Sequence, residues 1–311
     1  MSEIENPVET VIRLLTDKMR VVKDDGSLAK VSVSREWLSQ EALQNVDGHV
    51  TVGLLEAVDN KLELTGRLRR RLVNIRANVW SLNAQMRFKI VEEVLRVVRQ
   101  NRFAPADKLY DFLNVQEGDN THKAYYATSL SDLPPGDSSW HEFLSEGIRR
   151  SDDTRFSVSA YAKYAMMLFR FKIDFKESLV KKIVLAFEGY GLCSYGNGFS
   201  IRVWNHVQNA WQQLQTSESS SETTLTITLT SNIKDYIDDN GYVWLIAKTL
   251  YAGSDAYSHL YCDYVSCTVA PRGISFLDVV SFRDVDRVDV KPFLYHTDMV
   301  LKSWVLENLE V

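Results

Sequence analysis

The sequence predicts an α+β N-terminal domain, with a small, mostly antiparallel sheet and two helices, followed by an all-β antiparallel sandwich. Three observations carry this. Segments 7–19 and 84–100 place apolar residues at helical spacing. Segment 72–81 alternates apolar and polar residues, as a half-buried strand does. Between Ile183 and Val269 lie five runs of about six residues, each rich in β-branched or aromatic side chains and bounded by Gly, Asn, Asp or Ser, the pattern of a sandwich.

The first helix opens at Asn6-Pro7-Val8-Glu9, where Asn6 can cap, Pro7 suits the first turn and Glu9 sits where a capping box wants a carboxylate. Val8, Val11, Ile12, Leu15 and Met19 form its apolar face. Extended segments follow at 30–34 and 49–56, the latter with Val50, Val52 and Leu54 on one side, and 59–71 reads as a charged connection. In 72–81, Val73, Ile75, Ala77 and Val79 face one way. Asn83 caps the second helix, whose stripe is Met86, Ile90, Val91, Val94, Leu95 and Val98. Residues 109–115 read as a short strand or a last helical turn. Segment 117–159, with its Pro134-Pro135-Gly136-Asp137 turn, reads as a long loop excursion. The alternation of Phe169, Phe171, Ile173 and Phe175 predicts a strand completing the same sheet as 72–81. After Pro271 the chain turns extended, and 297–309 reads either as a strand returning to the first domain or as an arm to a neighbouring subunit. The expected organisation is an assembly domain at 1–178, a sandwich at 179–270 and an extended segment at 271–311.

A chain of 311 residues suits about two domains, and its 45% hydrophobic and 25% charged content is that of an ordinary globular protein. A net charge of −5 excludes a global basic field for nucleic acid, though not a local patch. Cys193, Cys262 and Cys267 form no CxxC pair and read as small buried hydrophobes. No apolar run approaches the ~20 residues of a membrane span, and the acidic start Met1-Ser2-Glu3-Ile4-Glu5 lacks a signal-peptide core, so synthesis and assembly inside a cell are expected.

No nucleophile elbow, Walker loop, dinucleotide fingerprint, HExxH or metal-spaced Cys/His set is present, so no catalytic, cofactor or metal residue is assigned and a non-enzyme is expected. Asp235, Asp238, Asp239 and Asp255 read as turn formers in preference to Ca²⁺ ligands. The one basic cluster, Arg67-Leu68-Arg69-Arg70-Arg71, offers Arg67, Arg69, Arg70 and Arg71 as a candidate lumen or subunit contact. Trp204, Trp211, Tyr242, Trp244, Tyr257 and Tyr261 invite a sugar-platform reading, since aromatic faces stack on sugar rings. Trp204 and Trp244 sit inside strands and read as core, which leaves Trp211, at a hairpin turn, as the candidate glycan contact.

Ile201-Arg202-Val203-Trp204-Asn205, Trp211, Leu225-Thr226, Ser231-Asn232-Ile233, Tyr236–Val243, Leu260-Tyr261 and Asp263-Tyr264-Val265 together resemble a jelly-roll module of the galactose-binding and carbohydrate-binding kind, found in archaeal and archaeal-virus proteins. The first domain resembles tail-completion or tail-terminator proteins of tailed viruses, on Asn6–Glu9, the 72–81 strand, Val91–Val94 and the strand at Phe169–Phe175. That resemblance implies a virion structural protein at the neck of an archaeal tailed virus, forming a hexameric ring through heterologous contacts. It implies other neck and tail proteins as partners, nucleic acid only by passage through the ring, no cofactor and no membrane. The alternative expectation is a glycan-binding protein that works through the sandwich.

Overall fold

The computed structural model describes residues 4–35, 43–62, 68–286 and 293–308. In chain order these carry α1 (Pro7–Lys18), β1 (Val31–Arg35), β2 (Gly48–Lys61), β3 (Leu68–Ser81), α2 (Ala84–Gln100), β4 (Lys108–Tyr110), β5 (Lys123–Ser129), β6 (His141–Phe143), β7 (Phe156–Tyr161) and β8 (Tyr164–Lys172). There follow β9 (Val180–Cys193), β10 (Phe199–Asn205), β11 (Ala210–Ser217), β12 (Thr223–Leu229), β13 (Tyr242–Thr249), β14 (Tyr257–Pro271), β15 (Ile274–Asp284) and β16 (Tyr295–Asn308). The chain divides into two compact units, 1–106 with 272–311, and 107–271.

The first unit is α+β. Its sheet runs β1-β2-β3-β16-β15, with β1 parallel to β2 and every other pair antiparallel. Both helices start as their sequences dictate. The Asn6 side chain accepts the Val8 amide at 2.9 Å, and Asn83 accepts the amides of Gln85 and Met86, which satisfies donors that a helix leaves unpaired. Glu9 does not close a capping box; its carboxylate lies 3.4 Å from Arg35. Val8, Val11, Leu14 and Leu15 of α1 and Ile90, Val94 and Val98 of α2 bury against Val50, Val52, Val73, Ile75, Val79 and Leu301. The strands outrun the helices. β2 continues to Lys61 and β3 begins at Leu68, so most of the expected connection 59–71 is hairpin strand. A bulge between Leu54 and Glu56 marks where β2 leaves the core, and Leu54 is exposed. Of the two readings of the tail, the returning strand is the one observed, since β16 pairs with β3 from Tyr295↔Ser81 to Asn308↔Leu68.

The second unit is an antiparallel sandwich. One sheet runs β11-β10-β13-β8-β5-β6, and the other runs β12-β9-β14-β4 with β7 also on β14. Between them lies a core of Phe112, Phe169, Phe171, Phe187, Phe199, Leu185, Leu245, Val265 and their neighbours. Three expectations are corrected here. The strand around Phe169 does not complete the first sheet; β8 pairs with β13 and β5, so Phe169 and Phe171 fill the sandwich. The excursion 117–159 is not a loop but holds β5, β6 and the start of β7, whose polar outward residues mask their alternation. The boundary therefore falls near 106, not at 178, and 272–311 rejoins the first unit in place of forming a separate segment. Residues 287–292, including Val288–Pro292, lie outside the described residues.

Candidate functional site

Strict alternation gives the six-stranded sheet two different faces. Ala165, Met167, Phe169 and Phe171 of β8, and Val243, Leu245 and Ala247 of β13, point into the sandwich core. Their neighbours Tyr164, Met166, Leu168, Arg170 and Lys172, and Tyr242, Trp244, Ile246 and Lys248, take the outer face. Register lines these up across strands. One row is Lys123, Arg170 and Trp244; the next is Tyr125, Leu168, Ile246 and Arg202; the third is Ala127, Met166, Lys248 and Ser200. Trp204 pairs with Trp211 at the β10–β11 edge, one step beyond the Val203↔Leu245 pair and so level with Trp244.

The floor of this face is apolar. Ala127, Met166, Leu168 and Ile246 are buried there, with Tyr125, Trp140, Tyr164, Trp211 and Trp244 packed over them. Burial raises the Tyr125 phenol above its ordinary value. The segment 130–140 lies across one half. The indole N–H of Trp211 donates to the Leu133 carbonyl at 3.0 Å, and that of Trp140 donates to the Pro134 carbonyl at 3.0 Å. The Asp132 carboxylate holds the strap down, one oxygen 2.5 Å from Arg202 Nη1 and the other bound by the Lys248 ammonium. More rings extend across the face. Tyr242 and Trp244 sit edge to face at 6.5 Å, Tyr125 lies 6.2 Å from Trp244, and Trp204 meets Trp211 edge-on at 4.9 Å. The Arg170 guanidinium stands 4.1 Å from the Tyr242 centroid and 5.7 Å from that of Trp244.

Sequence reasoning and structure differ on which tryptophans face outward. Trp204 and Trp244, expected in the core, are half-buried on the outer face, because their strand neighbours take the core positions. Trp211 is on the same face, but its N–H is engaged and its ring packs under the strap. Arg170, Arg202, Lys248 and Asp132 are not among the expected site residues; the alternation of Phe169, Phe171 and Ile173 with Arg170 and Lys172 is a signal for Arg170 alone. The basic cluster falls in the first unit. Arg71 Nε lies 2.8 Å from Asp59, Arg70 lies 6.0 Å from the Trp304 ring centroid, Arg69 is half-buried on β3, and Arg67 lies outside the described residues.

The opposite sheet carries Tyr257 and Tyr261 in a file of rings with Tyr161, His259 and Tyr190, in which Tyr190 and Tyr261 stack at 4.5 Å. Beside it, Glu188, Glu222 and Asp263 bring carboxylate oxygens within 4.8 Å of one another, the one group with metal-ligand geometry among the described residues. Arg155 Nε donates to Glu222 at 2.7 Å, and burial raises the Asp263 carboxyl. Asp238 is a turn former, as expected: its Oδ1 accepts the amides of Asn240 and Tyr242 at 2.9 and 2.7 Å. Cys262 and Cys267 are buried free thiols, raised by desolvation, while Cys193 is half-buried.

Residues 119–271 match a protein family described as "Uncharacterized protein, C-terminal domain". No curated protein matches the chain. Solved structures similar to it include the xylan-binding module CBM86 from the gut symbiont Roseburia intestinalis, at 14% identity over 53% of this chain and 95% of that one, with a TM-score of 0.26. They also include the xylan-binding module CBM15, at 10% identity over 53% and 97%, with a TM-score of 0.29. A third is the family 11 carbohydrate-binding module from Clostridium thermocellum in complex with a β-1,3-1,4-mixed-linked tetrasaccharide, at 13% identity over 52% and 94%, with a TM-score of 0.23.

Proposed function

We propose that this protein binds an extended saccharide along the outer face of its six-stranded sheet. The observation that carries the reading is the outward alignment of Tyr242, Trp244 and Trp204 on a sheet whose inner face is already a complete core. A sandwich needs only one face of each sheet buried. Large aromatic rings on the second face, flanked by hydrogen-bonding cations, are suited to stack on sugar rings and fix their hydroxyls.

The tail-terminator reading loses one of its four supports, because the strand around Phe169 and Phe171 pairs within the sandwich and not with the first sheet. Affinity gel electrophoresis of the full chain against a panel of soluble polysaccharides tests the glycan reading. Retardation by at least one polysaccharide, weakened in Trp244→Ala, is expected; migration unaffected by every member of a broad panel contradicts it.

A further inference from the structure

We infer that the saccharide is an acidic one, a polyuronide whose carboxylates are received by Arg170 and Lys172 beside the Tyr242–Trp244 rings. This rests on the glycan reading above and names the ligand's chemistry.

The chain is net acidic at −5, yet the outward positions of these strands carry Lys123, Arg170, Lys172, Arg202 and Lys248 against Glu142, with Asp132 on the strap; Asp174, Glu177, Asp238 and Asp239 line the pocket beside Lys172 at the end of the sheet. Glu142 and Asp132 are committed. Glu142 lies 2.8 Å from Lys123 Nζ, and Asp132 is shared by Arg202 and Lys248. Arg170 and Lys172 make no ion pair among the described residues. Arg170 donates from Nη2 to the Asn120 carbonyl at 2.8 Å, while its Nε is buried without an acceptor. Lys172 donates to the Asn240 carbonyl, and its ammonium stands 5.0 Å from the Tyr242 centroid. Two cations without an ion pair therefore flank the ring pair that would stack a sugar.

The same face already shows how it takes a carboxylate. Asp132 is bound there by one arginine and one lysine, the pairing that Arg170 and Lys172 repeat two residues apart on β8. Guanidinium–carboxylate contacts are charge-assisted and directional, so this pair would discriminate a uronate from its neutral counterpart. A single-stranded nucleic acid would also meet aromatics and cations, but it needs a basic groove tracking the backbone, and two cations on one strand do not make one.

The test compares polygalacturonate, its methyl-esterified form, neutral xylan and poly-dT by affinity electrophoresis and titration calorimetry on the full chain. The expected result is binding of polygalacturonate at least tenfold tighter than of the esterified polymer, weakening with added salt. Lys172→Gln, and separately Arg170→Gln, should each erode that preference; Lys172→Gln should melt close to the parent, and it keeps the test open if Arg170→Gln, which also loses its contact with Tyr242, does not fold. Equal binding of the charged and esterified polymers overturns the acidic-ligand inference and leaves the glycan reading standing. Failure of every polysaccharide overturns both, and so does poly-dT bound more tightly than any of them.

Discussion

The guanidinium of Arg170 lies 4.1 Å from the ring centroid of Tyr242, on the outward side of a strand whose other side is buried. This pairing couples the two properties of the face, aromatic surface and positive charge. A cation over a tyrosine ring is worth about 0.5–1 kcal/mol at exposed sites and more when desolvated. Tyr242→Leu should therefore loosen Arg170 and lower thermal stability by about 1 kcal/mol. The check is a double-mutant cycle with Arg170→Gln, in which additivity would show that the contact carries no energy.

Trp244→Ala should weaken saccharide binding, while Trp244→Phe should retain more of it, since a ring persists to stack on the sugar. Losing one stacked ring is expected to weaken affinity by tenfold or more, equivalent to about 1.4 kcal/mol. Calorimetric titration reads both variants, and unchanged affinity in Trp244→Ala would remove Trp244 from the site.

Asp132→Asn should release the strap at 130–140. The Arg202 and Lys248 contacts are roughly three-quarters buried, with side-chain exposures of 16–29%. Their loss lies between surface and buried pairs, at about 1–2 kcal/mol. Limited proteolysis should then cut within 130–140 faster than in the parent chain. An equal cutting rate would mean that the tryptophan contacts, not the carboxylate, hold the strap.

The pH dependence follows from the histidines. Burial lowers His49, His122, His206 and His296 below the ordinary 6.5. For His122 this outweighs Asp111 and Asp174, which pull upward. A depressed folded pKa means that the unfolded chain binds protons first. The stabilisation is complete above pH 6.5 and is lost as pH falls from there through the folded values. Urea midpoints should fall between pH 7.5 and pH 5.5, and a rise over that range would contradict the burial of these rings.

Asp263 has the opposite sign. Desolvation, the largest cause, raises its carboxyl above 3.8, so its ionisation opposes folding at neutral pH. Asp263→Asn should match the parent below that range and be the more stable protein at pH 7. Thermal melts at pH 3.5 and 7 decide it. A variant destabilised only at pH 7 would show that the charge of Asp263 is held by a partner it needs.

Both helices are legible in the sequence, because the caps at Asn6 and Asn83 and the apolar stripes are local signals. The sandwich is legible as a class for the same reason. Strand partners are not local. Phe169 and Phe171 announce a half-buried strand, but nothing in their alternation says whether Val243 or Val73 lies alongside. The strands at 123–129 and 156–161 escape notice because Ser, Thr and Tyr serve equally on a sheet and in a loop. Trp244 reads as core because strand-interior tryptophans usually are; only the register placing it beside Arg170 shows that it faces out.

Saccharide binding on the outer face is tested by hydrogen–deuterium exchange of the full chain with and without saturating polygalacturonate. It predicts slowed exchange confined to Lys123–Ser129, Tyr164–Lys172, Phe199–Asn205 and Tyr242–Thr249, the strands that build the outer face. Protection concentrated instead on Val180–Cys193 and Tyr257–Pro271, the strands bearing Tyr190 and Tyr261, would place the ligand on the opposite sheet and contradict it.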